Sequence, residues 1–103
     1  MSTVADIILV TGTYDTNCKN SLDEYLKKHH NGEHLVKVDD YAGGHKAIQA
    51  DVYMAAINGL DINDFLDCFY NTNFEDPNLC QLMIKNENDN RFEIYIPEDR
   101  KFY

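Results

Sequence analysis

Asp6-Ile7-Ile8-Leu9-Val10-Thr11 is an unbroken apolar run, rich in β-branched side chains and closed by Gly12. A run of this kind reads as a strand covered on both faces, hence central in its sheet. Downstream, Thr13 to Asn20 is polar and reads as a long loop. Ser21-Leu22-Asp23-Glu24 then has the spacing of a capping box and predicts a helix to His30, with Leu22, Tyr25 and Leu26 on one face and Asn31-Gly32 as its stop. His34-Leu35-Val36-Lys37-Val38-Asp39 alternates and predicts a second strand. Strand, helix and strand within about thirty residues make a β-α-β unit with parallel strands.

Asp40-Tyr41-Ala42-Gly43-Gly44 reads as a turn, and His45 to Asn58 as a second helix that is apolar nearly all the way round. Such a helix needs cover on more than one side, from the sheet and from a third helix or a second subunit. The third helix is Asp61 to Asn71. At 100° per residue, Ile62, Phe65, Leu66 and Phe69 gather on one side, and Asp61, Asp64, Asp67 and Asn71 on the other, with Asp61 as N-cap. After a loop punctuated by Pro77, Leu79–Lys85 and Arg91–Ile96 predict a hairpin whose second strand buries the side bearing Phe92, Ile94 and Ile96. The expected architecture is a single α/β domain over residues 1–103, a two-layer sandwich of order β-α-β-α-α-β-β. It has a four-stranded mixed sheet with helices mainly on one face.

Composition narrows the function. The chain has 103 residues, 44% of them hydrophobic and 26% charged, enough for one core and no second domain. Eighteen acids against nine bases leave a formal charge of -9, which argues against nucleic acid or an anionic membrane as direct partner and points to a basic protein. Cys18, Cys68 and Cys80 fall at no metal or redox spacing, and an odd count suits a reducing compartment. No basic, apolar leader and no run of membrane-spanning length is visible, so a cytoplasmic protein is expected. Seven lysines against two arginines, with eleven asparagines, resemble the output of AT-rich coding and point to a phage, another mobile element or an AT-rich bacterium.

Motifs for chemistry are sparse. Gly12 to Ser21 lacks the second Gly and the Lys-Ser pair of a phosphate-binding loop. Gly43-Gly44-His45-Lys46 would expose backbone amides to an anion if it opened a helix, though two glycines far more commonly just make the turn from strand to helix. His29, His30 and His34, with Asp39 and Asp40 downstream, are weak candidates for a divalent metal; no metal or other cofactor is expected. No Ser-His-Asp or Cys-His pairing can be placed on one site, and the acids around Cys68 would raise its pKa, so an enzyme is not expected.

The acids remain. A carboxylate every three helical residues is one charge per about 4.5 Å, against one per about 3.4 Å along a DNA strand. The third helix alone therefore falls short of a phosphate ladder. The candidate partner-binding surface is Asp61, Asp64, Asp67 and Asn71, extended by Glu75-Asp76 and by Asp39-Asp40, with Tyr41 and Tyr70 as aromatic anchors. Asp61 to Cys68, followed by a hydrophobic strand, resembles the barstar-like ribonuclease inhibitors over about one helix and one strand; the resemblance implies an acidic helix that blocks a basic active site. The remaining element order departs from that family, which places further helices after the second strand. The function expected is a small acidic, non-enzymatic inhibitor that occludes the basic nucleic-acid site of a target, in the manner of an anti-CRISPR or anti-restriction nucleic-acid mimic in host defence evasion. The alternatives are an immunity protein against a nuclease toxin and a metal-binding regulator or enzyme using His29–His34. A homodimer through the second helix is also expected.

Overall fold

In the computed structural model, which describes residues 3–13, 16–39, 42–45, 48–75 and 77–97, the apolar run is a strand, β1 (Val4–Thr11), as its β-branched composition requires. It is followed by α1 (Asn17–His29), β2 (Val36–Lys37), β3 (Asp51–Asn58), α2 (Ile62–Tyr70), a 3-10 turn at Pro77–Leu79, β4 (Gln81–Asn86) and β5 (Glu93–Tyr95). The five strands form one sheet in the order β2-β3-β1-β4-β5, and every neighbouring pair is antiparallel. The chain is a small α+β domain. β1 and β2 point the same way with β3 between them, and β3 and β4 do so with β1 between them. These are two interlocked split β-α-β units, the ferredoxin-like arrangement, here extended by β5 at one edge.

Three expectations are corrected. The segment read as a second helix holds β3, and residues 48–50 just ahead of it are not helical, so the sheet has five strands and is antiparallel rather than mixed. Apolar residues all the way round a helix are equally apolar residues on both faces of a strand, and Val52, Tyr53 and Ile57 favour the strand. Tyr53 and Ile57 turn inward, buried with Ile7, Leu9 and Leu82, while Met54 and Ala56 turn outward and are exposed. The homodimer through a second helix, and the anion site at that helix's start, lose their basis; Gly43, Gly44 and His45 are loop residues, and Lys46 lies outside the described residues. In β5 the inward residue is Tyr95, paired with Leu82, whereas Ile94 is exposed on the other side.

The core lies between the helices and the inward side chains of β1, β3 and β4, where Ala5, Ile7, Leu9, Ile57, Leu82 and Ile84 are each at most 3% exposed. Burying an aliphatic side chain of this size contributes about 1.5–3 kcal/mol. α1 starts four residues before the supposed capping box; its cap is Thr16, and Ser21 sits within the helix. It stops where Asn31 and Gly32 take positive φ values of 57° and 87°, a conformation that Gly, and next to it Asn, adopts at least cost. One buried acid secures the α1–β2 connection. Asp23 accepts the Leu35 N–H at 2.7 Å through one oxygen and pairs with Lys19 at 2.7 Å through the other.

Asp23→Ala strands a buried donor at Leu35 and releases the loop, and should cost about 2 kcal/mol. Urea unfolding would measure it, with Asp23→Asn expected to cost less because its amide oxygen can keep the Leu35 bond.

Candidate functional site

α2 is positioned by its apolar side. Phe65, Leu66, Phe69 and Tyr70 are buried, and Phe69 sits between Tyr70 and Phe74 with ring centroids 5.4 and 5.3 Å away. The helix begins as its sequence predicts. Asp61 is extended at the N-cap, and its carboxylate accepts the Asp64 N–H at 3.2 Å. Asp61, Asp64, Asp67 and Asn71 are all exposed, on the side away from the core. The ion pairs Lys19–Asp23, Lys37–Asp39 and Lys37–Asp51 involve none of the α2 acids, which have no basic partner among the described residues.

α1 runs antiparallel alongside α2 and closes one flank of the acidic surface. Contacts step along the pair: Tyr25 Oη donates to Asp64 Oδ2 at 2.8 Å, Ser21 Oγ lies 3.5 Å from Cys68 Sγ, and Asn17 Nδ2 donates to the Asn73 carbonyl at 3.0 Å. Thr72 Oγ1 donates to the Cys68 carbonyl at 2.9 Å and lies 3.0 Å from Ser21 Oγ. Tyr25 packs its ring edge on Phe65 at 5.5 Å and lies 4.5 Å from the His29 ring. Burial first, then the bond and charge of Asp64, then the charge of Asp61, push the Tyr25 hydroxyl well above the usual phenol range, so it stays a donor. The Cys68 thiol is pushed up chiefly by burial, against the Ser21 hydrogen bond that lowers it, and further by Asp64 and Glu24; a thiol so held is a poor nucleophile.

Glu24 and Tyr25 are thus members of the acidic surface that spacing along the chain did not reveal. Glu24 is exposed on α1 and acts on the same thiol as Asp64, so the surface is two helices wide. The four-residue steps from Ser21 to Tyr25 and from Asp64 to Cys68 hint at facing seams only once the two helices are known to be antiparallel.

Other expected residues fall elsewhere. Glu75 is exposed just beyond the C-terminal end of α2. Tyr70 is buried at 4% exposure, so its ring belongs to the core rather than to an exposed anchor. Asp39 is not a free surface acid: its carboxylate accepts the Val52 N–H at 3.0 Å and pairs with Lys37 at 3.4 Å, which ties β2 to the start of β3. Asp40, Tyr41 and Asp76 lie outside the described residues. His29 and His34 are exposed, and the backbone N–H of His30 caps α1 on the Leu26 carbonyl at 2.7 Å. Among the described residues no three of His, Cys, Asp and Glu are grouped so as to hold a metal ion. Among them, too, no helix is long and apolar enough to cross a membrane. Comparison with protein-family models, with curated proteins and with solved structures finds no match.

The Val52 N–H, ahead of Lys37, holds the Asp39 carboxyl below its ordinary value of 3.8. A carboxylate with a lowered folded-state pKa adds stability that is present above its unfolded value and disappears as pH falls through the lower folded one. Asp39→Asn should therefore remove part of the pH dependence of stability below about pH 4, while leaving its slope at neutral pH unchanged. Thermal unfolding followed across pH 2 to 7 checks this.

Proposed function

We propose that the protein is a small acidic inhibitor, without catalytic activity of its own, that uses the solvent side of α2 to occlude the basic nucleic-acid-binding site of a target protein. One observation carries the reading. Asp61, Asp64 and Asp67 are exposed and unpaired with any cation among the described residues, on a helix whose other side is locked into the core. Carboxylates on a rigid element lose little entropy on meeting a cationic groove, and an array of one sign accelerates encounter with a basic partner.

The acids on α2 remain sparser than phosphates on a strand, about 4.5 Å of rise per charge. Glu24 and the Tyr25–Asp64 pair broaden the surface sideways instead. Breadth suits a target groove lined by lysine and arginine on both walls more than a single-file channel. The overall charge of -9 supports a basic partner, and the AT-rich coding habit supports a phage counter-defence protein directed at CRISPR or restriction machinery.

The test is affinity purification from the native host, followed by the triple change Asp61→Asn, Asp64→Asn and Asp67→Asn. A nucleic-acid-binding protein should be captured, elute with salt and be displaced by DNA or RNA. The triple variant should keep the wild-type circular dichroism and bind that target about 10- to 100-fold more weakly, with a flatter salt dependence. Capture of neutral or acidic proteins alone, or unchanged binding by the triple variant, would sink the proposal.

A further inference from the structure

The face of the sheet turned away from the helices is apolar and open. Register places Val36, Met54, Ile8, Met83 and Ile94 side by side, one from each strand, in a single row across all five. Val36 is 50% exposed, Met54 42% and Ile94 61%, and Ile8 and Met83 are only half-buried. Beside the row lies a hollow of about 410 Å³ walled by Val38, Ala56 and Phe92. The composition of β1 is that of a strand covered on both faces, yet one face lacks cover from the described residues. The apolar sides of β3 and β5 meet the same open surface. A contiguous apolar patch of this kind on a folded domain marks an interaction surface.

We infer that this face joins two copies of the chain, sheet against sheet, with the helices outermost. Three observations select a second copy over another partner. The row is matched about its centre, with Ile8 in the middle, a methionine on each side and an aliphatic residue at each end. A copy related by a two-fold axis along β1 sets Met54 over the partner's Met83, and one related by an axis along the row sets Met54 over its own counterpart; methionine packs adaptably in either case. The strand residues of this face carry one acid, Asp6, and one base, Lys85, so the face is neutral in a chain of charge -9. Self-repulsion therefore acts elsewhere, and a basic partner is drawn to the other side. The size also fits. Three inner strands about 4.8 Å apart and about 20–27 Å long, with the short edge strands, give roughly 500 Å² per copy. Two such faces bury roughly 1,000 Å², where specific but reversible association begins. Edge-to-edge growth is blunted, since the edge strands β2 and β5 have two and three residues.

Sedimentation equilibrium from low to high micromolar concentration should show a monomer passing reversibly to twice the monomer mass. Met54→Lys should weaken the association at least about 30-fold, the loss of a central anchor, with unchanged circular dichroism. Ile94→Lys on the short edge strand should act in the same direction and decides the matter if Met54→Lys disturbs folding. The triple asparagine variant of α2 should dimerise as the wild type does, which separates this inference from the function proposed for the acids. A chain that stays monomeric at every concentration overturns it, and would leave the face to a different partner. A dimer that neither lysine substitution weakens overturns it equally.

Discussion

Everything in this molecule hangs on the ladders that flank β1. Its eight residues pair with β3 from Val4 opposite Asn58 to Thr11 opposite Asp51, and with β4 from Ala5 opposite Asn86 to Val10 opposite Gln81. Backbone groups on both edges are thereby satisfied, as burial at the centre of a sheet demands. The α2 crossover spans this strand and the α1 crossover spans its neighbour β3, which brings α1 and α2 together over one face. Register does the rest: a shift of one residue would carry Ile7 and Leu9 out to solvent and Asp6 into the core.

Where local physics and tertiary structure agree, the elements were legible. β1 was readable from its branched apolar run, α2 from its 3.6-residue period and the Asp61 cap, and the β4–β5 hairpin from its alternation. β3 was not, because Met54, Ala55 and Ala56 are good helix formers and a strand with two apolar faces leaves no period to count. The start of α1 misled for a different reason. Ser21 and Glu24 have capping spacing, but Ser21 is used across the helix pair, against Cys68 and Thr72. The acidic side of α2 was readable residue by residue, whereas the contribution of Glu24 and Tyr25 depends on which helix lies alongside. Asp39 shows the converse: an acid in a polar stretch looked like surface charge and serves as a backbone acceptor.

The two surfaces of interest lie on opposite sides of the sheet and differ in kind. On the helical side, charge is concentrated and apolar groups are buried. On the open side, apolar groups are exposed and charge cancels. Since α2 is fixed by Phe65 and Phe69 and the open face by the strand ladders, each can change its solvent-facing residues without touching the other. In the sheet-to-sheet pair the acidic helices would face in opposite directions. Such a pair presents two separate sites and engages two targets, rather than extending one continuous row of charge.

β1 precedes both of its neighbours in the chain, and Ala5 lies against Asn86. Its closing contacts are therefore among the most distant the sequence allows, and the entropy of closing those loops must be met before the ladders return anything. Until residues 81–86 are in place, the stickiest segment of the polypeptide stands with one edge unpaired. Folding should accordingly be slow for a chain of this size. The excess of negative charge spread through the remainder then has a role that the folded state does not reveal, in holding unfinished chains apart while the central strand waits for its second neighbour.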